Sequence, residues 1–199
     1  MPMRTATIKI NGIAPLLQNN PQCVDRFNQY ARQIKRINDK KTRRTDDDYI
    51  ELGDLEVESK LYFDDSLGVY IPTTWLSAAI ANNGFRVAKI SKANIRGAVF
   101  MAEDKAKLSY HGDKGVKTAQ DVIGDPEFRI KLKLPQQNVR ICKAFPVFHQ
   151  WNFSTSIEFD DKIIDPDSLT RIIEHAARYG GFGDFRPTFG RALAEVTHD

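Results

Sequence analysis

Residues 180–191 read Gly180-Gly181-Phe182-Gly183-Asp184-Phe185-Arg186-Pro187-Thr188-Phe189-Gly190-Arg191, with four glycines, three phenylalanines and two arginines in twelve positions. Before this run, Leu169, Ile172, Ile173, Ala176 and Ala177 recur at helical spacing, behind an Asp165 cap and a Pro166 start. The spacing predicts a helix over 166–179, and the alternation after the run predicts a last strand over 189–197. Two readings of the run compete. In the first, glycine ends the helix, a tight turn follows and the phenylalanines enter the core. In the second, the glycines let a ligand approach, arginine clamps phosphate and phenylalanine stacks on bases. Spacing alone favours the first.

Working outward, Trp151, Phe153, Thr155, Ile157 and Phe159 alternate strictly with polar partners. With 139–148 before them, they predict strand across 139–159. At the N-terminus Ala6, Ile8 and Ile10 alternate with Thr7 and Lys9 before Gly12, a first strand over 5–11 with one buried face. Between these, Thr73 or Thr74 caps a helix carrying Trp75, Leu76, Ala79 and Ile80. That helix is expected to end at Asn82-Asn83-Gly84, with a second short helix at 85–93. Strands are expected at 95–101 and 106–110, and 111–125 reads as loop. Together these give strand, helix, strand, strand, helix, strand. That is α+β, the βαββαβ order of a ferredoxin-like, RNA-recognition-type domain. A single domain over 1–199 is expected, with a large helical and hairpin insertion at 18–70 and a second elaboration at 111–135. A sheet of this kind leaves one face clear of helices, where aromatic and basic residues meet single strands.

Within the insertion, Val24, Phe27, Tyr30, Ala31 and Ile34 predict an amphipathic helix over 22–37, and Leu55 and Val57, continued by Leu61 and Phe63, a strand around 54–63. Arg32, Lys35, Arg36, Lys40, Lys41, Arg43 and Arg44 put seven cations into thirteen residues. Asp46, Asp47, Asp48, Glu51, Asp54, Glu56 and Glu58 follow. The basic run reads either as a solvated loop or as an arm that grips phosphates while its acidic neighbour faces solvent or a sister subunit. Further along, Arg129, Lys131 and Lys133 share a strand face, and Arg140 and Lys143 follow on the next. Arg86, Lys89, Arg140, Arg186 and Arg191 are secondary phosphate candidates. Arg186 and Arg191 read equally well as structural groups on helix-end carbonyls. Tyr30, Phe85 and Trp151 are core or stacking residues, with core favoured for Trp151.

Bulk composition narrows the classes. The 199 residues are 41% hydrophobic and 28% charged, with net charge +3, ordinary for a soluble globular chain. No run of about 18 apolar residues suggests a membrane span. The start of the chain, Met1-Pro2-Met3-Arg4-Thr5, lacks a signal-type apolar stretch. Cys23 and Cys142 form neither a disulfide framework nor a zinc pattern, so a reducing, cytoplasmic setting is expected. The four histidines, His111, His149, His175 and His198, show no metal spacing, and no nucleophilic triad or phosphate loop is readable. No catalytic residue, metal or cofactor is expected. A metal-dependent nuclease using Asp46 and Asp48 is the weakest of the readings.

Two motifs carry a resemblance. Ile71-Pro72-Thr73-Thr74-Trp75-Leu76-Ser77-Ala78-Ala79 resembles the opening of the first helix in the RAMP superfamily, the repeat-associated proteins that form backbones of CRISPR effector complexes. The 180–191 run is similar to that superfamily's glycine-rich loop, although Asp184 and Pro187 make it stiffer and less basic. Leu61-Tyr62-Phe63-Asp64-Asp65, Gly68-Val69-Tyr70-Ile71-Pro72 and Gly183 through Arg191 also resemble an uncharacterised family of tailed-phage and prophage genomes. The resemblance implies RNA or single-stranded DNA in a basic groove, bound through its backbone by repeated, head-to-tail copies of the protein. It also implies an alternative: an interaction protein that engages or replaces host CRISPR effector subunits as an inhibitor.

Overall fold

A computed structural model of the chain describes residues 3–136 and 139–199. In chain order the elements are β1 (Arg4–Gly12), β2 (Leu16–Leu17), α1 (Gln29–Asp39), α2 (Asp46–Lys60), β3 (Phe63–Asp64), β4 (Gly68–Pro72), α3 (Thr74–Ala88), α4 (Lys92–Ala98), β5 (Val99–Met101), β6 (Lys105–Lys107), α5 (Ala119–Gly124), β7 (Arg129–Gln136), β8 (Val139–Phe148), β9 (Asn152–Phe159), α6 (Pro166–His175) and β10 (Ala192–His198). The chain is α+β with antiparallel sheets. It divides into two compact units: Met1–Leu16, Val69–Asp113 and Phe148–Asp199 form the first, Leu17–Gly68 and Lys114–Val147 the second.

The first unit is built on a four-stranded antiparallel sheet ordered β10-β1-β9-β5. Period-2 alternation decides its faces. Ala6, Ile8 and Ile10 on β1 and Phe153, Ile157 and Phe159 on β9 are buried, as are Leu76 and Ile80 of α3 and Leu169, Ile172 and Ile173 of α6. The opposite face is bare: Thr5, Thr7, Lys9, Ser154 and Glu158 are exposed. In the second unit, α1 and α2 lie together and β7 pairs with β8 in antiparallel register, Lys131 opposite Ala144 and Lys133 opposite Cys142. A buried cluster of Val57, Ile123 and Ala144 joins α2, α5 and β8.

Several elements depart from the sequence reading, each for a local reason. The 22–37 helix is a 3-10 turn at Pro21–Val24 followed by α1, which starts only where the Asn28 side chain accepts from Tyr30 N at 2.8 Å. Val24 and Phe27, expected on the buried stripe, are exposed. The 54–63 strand is the C-terminal half of α2. A capping box, with Thr45 Oγ1 accepting from Asp48 N and Asp48 Oδ2 from Thr45 N, starts that helix, and three aspartates suit the positive end of its dipole. Helix α3 runs straight through Asn82-Asn83-Gly84, because Gly84 lets Ile95 pack where a Cβ would come within 1.9 Å of Ile95 Cδ1. The strand expected at 95–101 starts at Val99, after α4, which Ser91 caps, and the 106–110 strand is the three-residue β6. The 111–125 loop holds α5, opened by a Thr118/Asp121 capping box. The 139–159 strand is two strands, broken at Gln150 with φ 47°. The last helix leaves α geometry for a π turn at Ala176–Gly180, and the last strand starts at Ala192.

Candidate nucleic-acid interface

The seven cations of 32–44 occupy α1 and its link to α2, and their acidic neighbours answer many of them. Lys35 meets Asp39 at 2.5 Å, one turn on, and Arg36 meets Glu51 at 2.9 Å. Lys40 pairs with the buried Asp48, whose carboxyl this bond, with the Thr45 backbone bond next, holds below the usual carboxylate range. The Arg32 guanidinium lies 5.7 Å from the Phe27 ring centroid. Among the described residues Lys41 and Arg43 have no ion-pair partner, and both are exposed. The acidic stretch therefore faces α1's own cations rather than solvent alone.

Arg44 is placed differently. Its guanidinium stands 5.6 Å over the ring of Tyr49, in the first turns of α2, and that ring is 53% exposed. Tyr49 and Gly53 line a crevice of about 110 Å³ together with Lys131 of β7 and Cys142 of β8. In an antiparallel pair, residues directly opposite share a face. Lys131, Lys133 and Arg140, opposite Ala144, Cys142 and Pro135, thus lie on one side of the hairpin, all exposed. Arg129, first on that side, is committed to Asp54 at 2.7 Å. Lys143, on the other side, pairs with buried Glu56, whose second oxygen accepts from Ala144 N at 2.7 Å. Arg44 thus lies over the exposed Tyr49 ring, Tyr49 shares its crevice with Lys131 and the buried Glu56, and Lys133 and Arg140 lie on the same side of the hairpin as Lys131. Tyr49 was not among the sequence candidates, and Lys131 and Lys133 were noted only as strand cations. Nothing local marks Tyr49, because its neighbours arrive from β7 and β8.

The remaining candidates belong to the first unit. Arg86 and Lys89 are exposed at the end of α3, with Lys89 Nζ 5.4 Å from the exposed Phe85 ring. Arg186 and Arg191 are exposed in the glycine run. Of that run Gly181, Phe182 and Gly190 are buried. Phe182 is fully buried, edge-on to Phe153 at 5.7 Å and Trp151 at 6.3 Å. Its N–H donates to Gly190 O at 2.8 Å, and Gly190 N donates to Pro15 O at 2.8 Å. Gly190 has φ 74°, and a Cβ there would fall 1.8 Å from Phe182 O, so only glycine closes this loop. Trp151 is core, as its period predicted, with its indole N–H donating to Ala14 O. Tyr30 is partly buried and donates to Glu58 at 3.0 Å.

Among the described residues no group of three or more His, Cys, Asp or Glu side chains could hold a metal ion, and no helix is long and apolar enough to cross a membrane. Asp46 and Asp48 serve the start of α2. His175 bonds Asn83 at 3.2 Å beside Tyr179, and His198 bonds Thr170 at 2.8 Å. No protein-family model and no curated protein sequence matches the chain.

Proposed function

We propose that the chain is a non-catalytic protein that binds single-stranded RNA or DNA, with the second unit as the gripping surface. The observation that carries the reading is the exposed Tyr49 ring under Arg44, in one crevice with Lys131, whose side of the hairpin also carries Lys133 and Arg140. An exposed ring is a platform for a base of any sequence, and a cationic row beside it follows a phosphate backbone. Lys41 and Arg43 are exposed in the α1–α2 link that leads to Arg44. In this reading Arg32, Lys35, Arg36 and Lys40 shape the arm more than they touch phosphate.

The first unit supports a ferredoxin-like identity. Counting its strands in sequence, the sheet order is fourth, first, third, second, with helices after the first and third. That arrangement and the RAMP-like motifs are the grounds for expecting copies to assemble head-to-tail along a strand.

Anisotropy titrations of labelled oligo(U) and oligo(dT) over a range of salt, with duplex DNA as control, test the proposal. The expected slope of log affinity against log salt is about −0.7 for each neutralised phosphate. Absence of binding at low salt, or a flat salt response, would refute it.

A further inference from the structure

We propose that β10 is the pairing edge of a two-fold dimer, in which β10 of a second copy adds antiparallel to it and continues the sheet. β10 forms one border of the sheet, and its hydrogen-bond phase is readable from its ends. Ile13 N donates to Arg191 O and Asp199 N to Thr5 O, and Gly12 N turns away to Trp151 O. Hydrogen-bonded pairs in an antiparallel ladder recur every second residue. With the register Lys9 to Glu195 and Asn11 to Leu193, Leu193, Glu195 and Thr197 therefore turn their backbone groups to β1. Ala194 and Val196 turn theirs outward, and among the described residues no backbone group answers them.

Such an edge is normally blunted by proline, lysine, a bulge or shortness. The opposite border, β5, is three residues long, whereas β10 is seven, with no proline and no lysine. Beside β10 runs a groove of about 540 Å³ whose walls include Arg171, Glu174, Arg178, Tyr179, Leu193 and Glu195. Arg171, Glu174 and Arg178 on the helix side, with Glu195 at the strand rim where Asn11 also holds it, give the groove charges of both signs, as a self-complementary patch requires. A two-fold interface must present one patch to itself, so this mixture selects a second copy over a partner of one charge sign. The contact closes at two chains. It is separate from head-to-tail assembly on a strand, and protein free of nucleic acid tests it alone.

The test is light scattering over a concentration series combined with amide hydrogen exchange. The mass should rise to twice that of the chain and stop. The amides of Ala194 and Val196 should gain protection with concentration, while those of Leu193 and Glu195 stay protected throughout. Ala194→Pro removes one outward N–H and should leave a monomer with unchanged circular dichroism. If that variant fails to fold, the amide pattern of the unaltered chain decides. Ala194 and Val196 exchanging fast at every concentration, a mass that passes two chains, or a folded Ala194→Pro that still dimerises would overturn the proposal.

Discussion

The two units each expose one side of an antiparallel β surface, and the two sides differ in charge. On the bare face of the four-stranded sheet stand Thr5, Thr7, Ser154, Glu158, Glu195 and Lys9. The register sets Lys9 directly opposite Glu195. The exposed aromatic ring of that sheet, Phe100, is opposite Glu158. On the β7–β8 hairpin, Lys131, Lys133 and Arg140 face Ala144, Cys142 and Pro135, and no acid stands opposite. The register sets the sheet-face cation against an acid in the first unit, whereas in the second the hairpin cations have no acid as cross-strand partner and Glu56 of α2 lines the crevice beside Lys131. For the proposed function, the sheet face that an RNA-recognition-type order suggests is the poorer of the two, and the β7–β8 hairpin is the better.

Under the proposed function, that contrast separates the residues that hold the fold from those expected to bind. Phe182→Ala should show the largest effect, because it empties a fully buried site against Trp151 and Phe153. A loss of about 3–5 kcal/mol in denaturant unfolding is expected, with strand affinity unchanged in the fraction that stays folded. Glu56→Ala should cost about 3 kcal/mol, since it strands Lys143 and the buried Ala144 N–H where α2 meets β8. Loss of binding through Phe182→Ala without unfolding would place the ligand at the glycine run instead.

The opposite pattern is expected for Lys131→Glu, Lys133→Glu and Arg140→Glu combined. Reversing three solvent-exposed cations should leave the unfolding midpoint nearly unchanged. Affinity for a single strand should fall about 100-fold, roughly 3 kcal/mol, and the salt slope should flatten. Lys9→Glu on the sheet face serves as the control and should change affinity by less than about twofold. Equal losses from the two faces would erase the distinction between them.

The first unit was readable wherever the pattern was long. Strict alternation in β1 and β9 and the apolar stripe of α6 each have enough repeats to define a period. Leu55 and Val57 offer a single step of alternation, which a helix accommodates equally well, and the stronger local signal was the Thr45/Asp48 capping box. Asn82-Asn83-Gly84 carries a stop signal that packing against Ile95 overrides. The glycine run was visible as special, and of its three phenylalanines only Phe182 enters the core, where its N–H meets Gly190 O. At the candidate interface the cations were visible but their pairing was not. Arg36 with Glu51 and Lys40 with Asp48 depend on α1 folding back along α2, and Tyr49 depends on β7 and β8 arriving beside it.

Acid should loosen the two units unequally, which sharpens the comparison without mutation. Three helix-starting carboxyls are held below the usual aspartate range. In the second unit these are Asp48, through Lys40 and then Thr45, and Asp121, through the N–H groups of Lys117 and Thr118. The first unit has Asp165 at the start of α6, through the Ser168 side chain and then its N–H. A carboxyl with a depressed folded pKa contributes stability at every pH above its unfolded value, about 3.9, and that contribution disappears as pH falls through the folded value. Stability should therefore be flat from neutral pH down to about 5 and decline below about 4. Two of these caps serve α2 and α5 in the second unit against one in the first, so amide exchange should accelerate more in those helices than in α6 as pH falls below about 4. Asp48→Asn should lower stability at neutral pH and weaken its decline in acid, because asparagine keeps the cap but gives up the charge that Lys40 meets. If α6 opens before α2, the capping carboxyls do not govern which unit yields first.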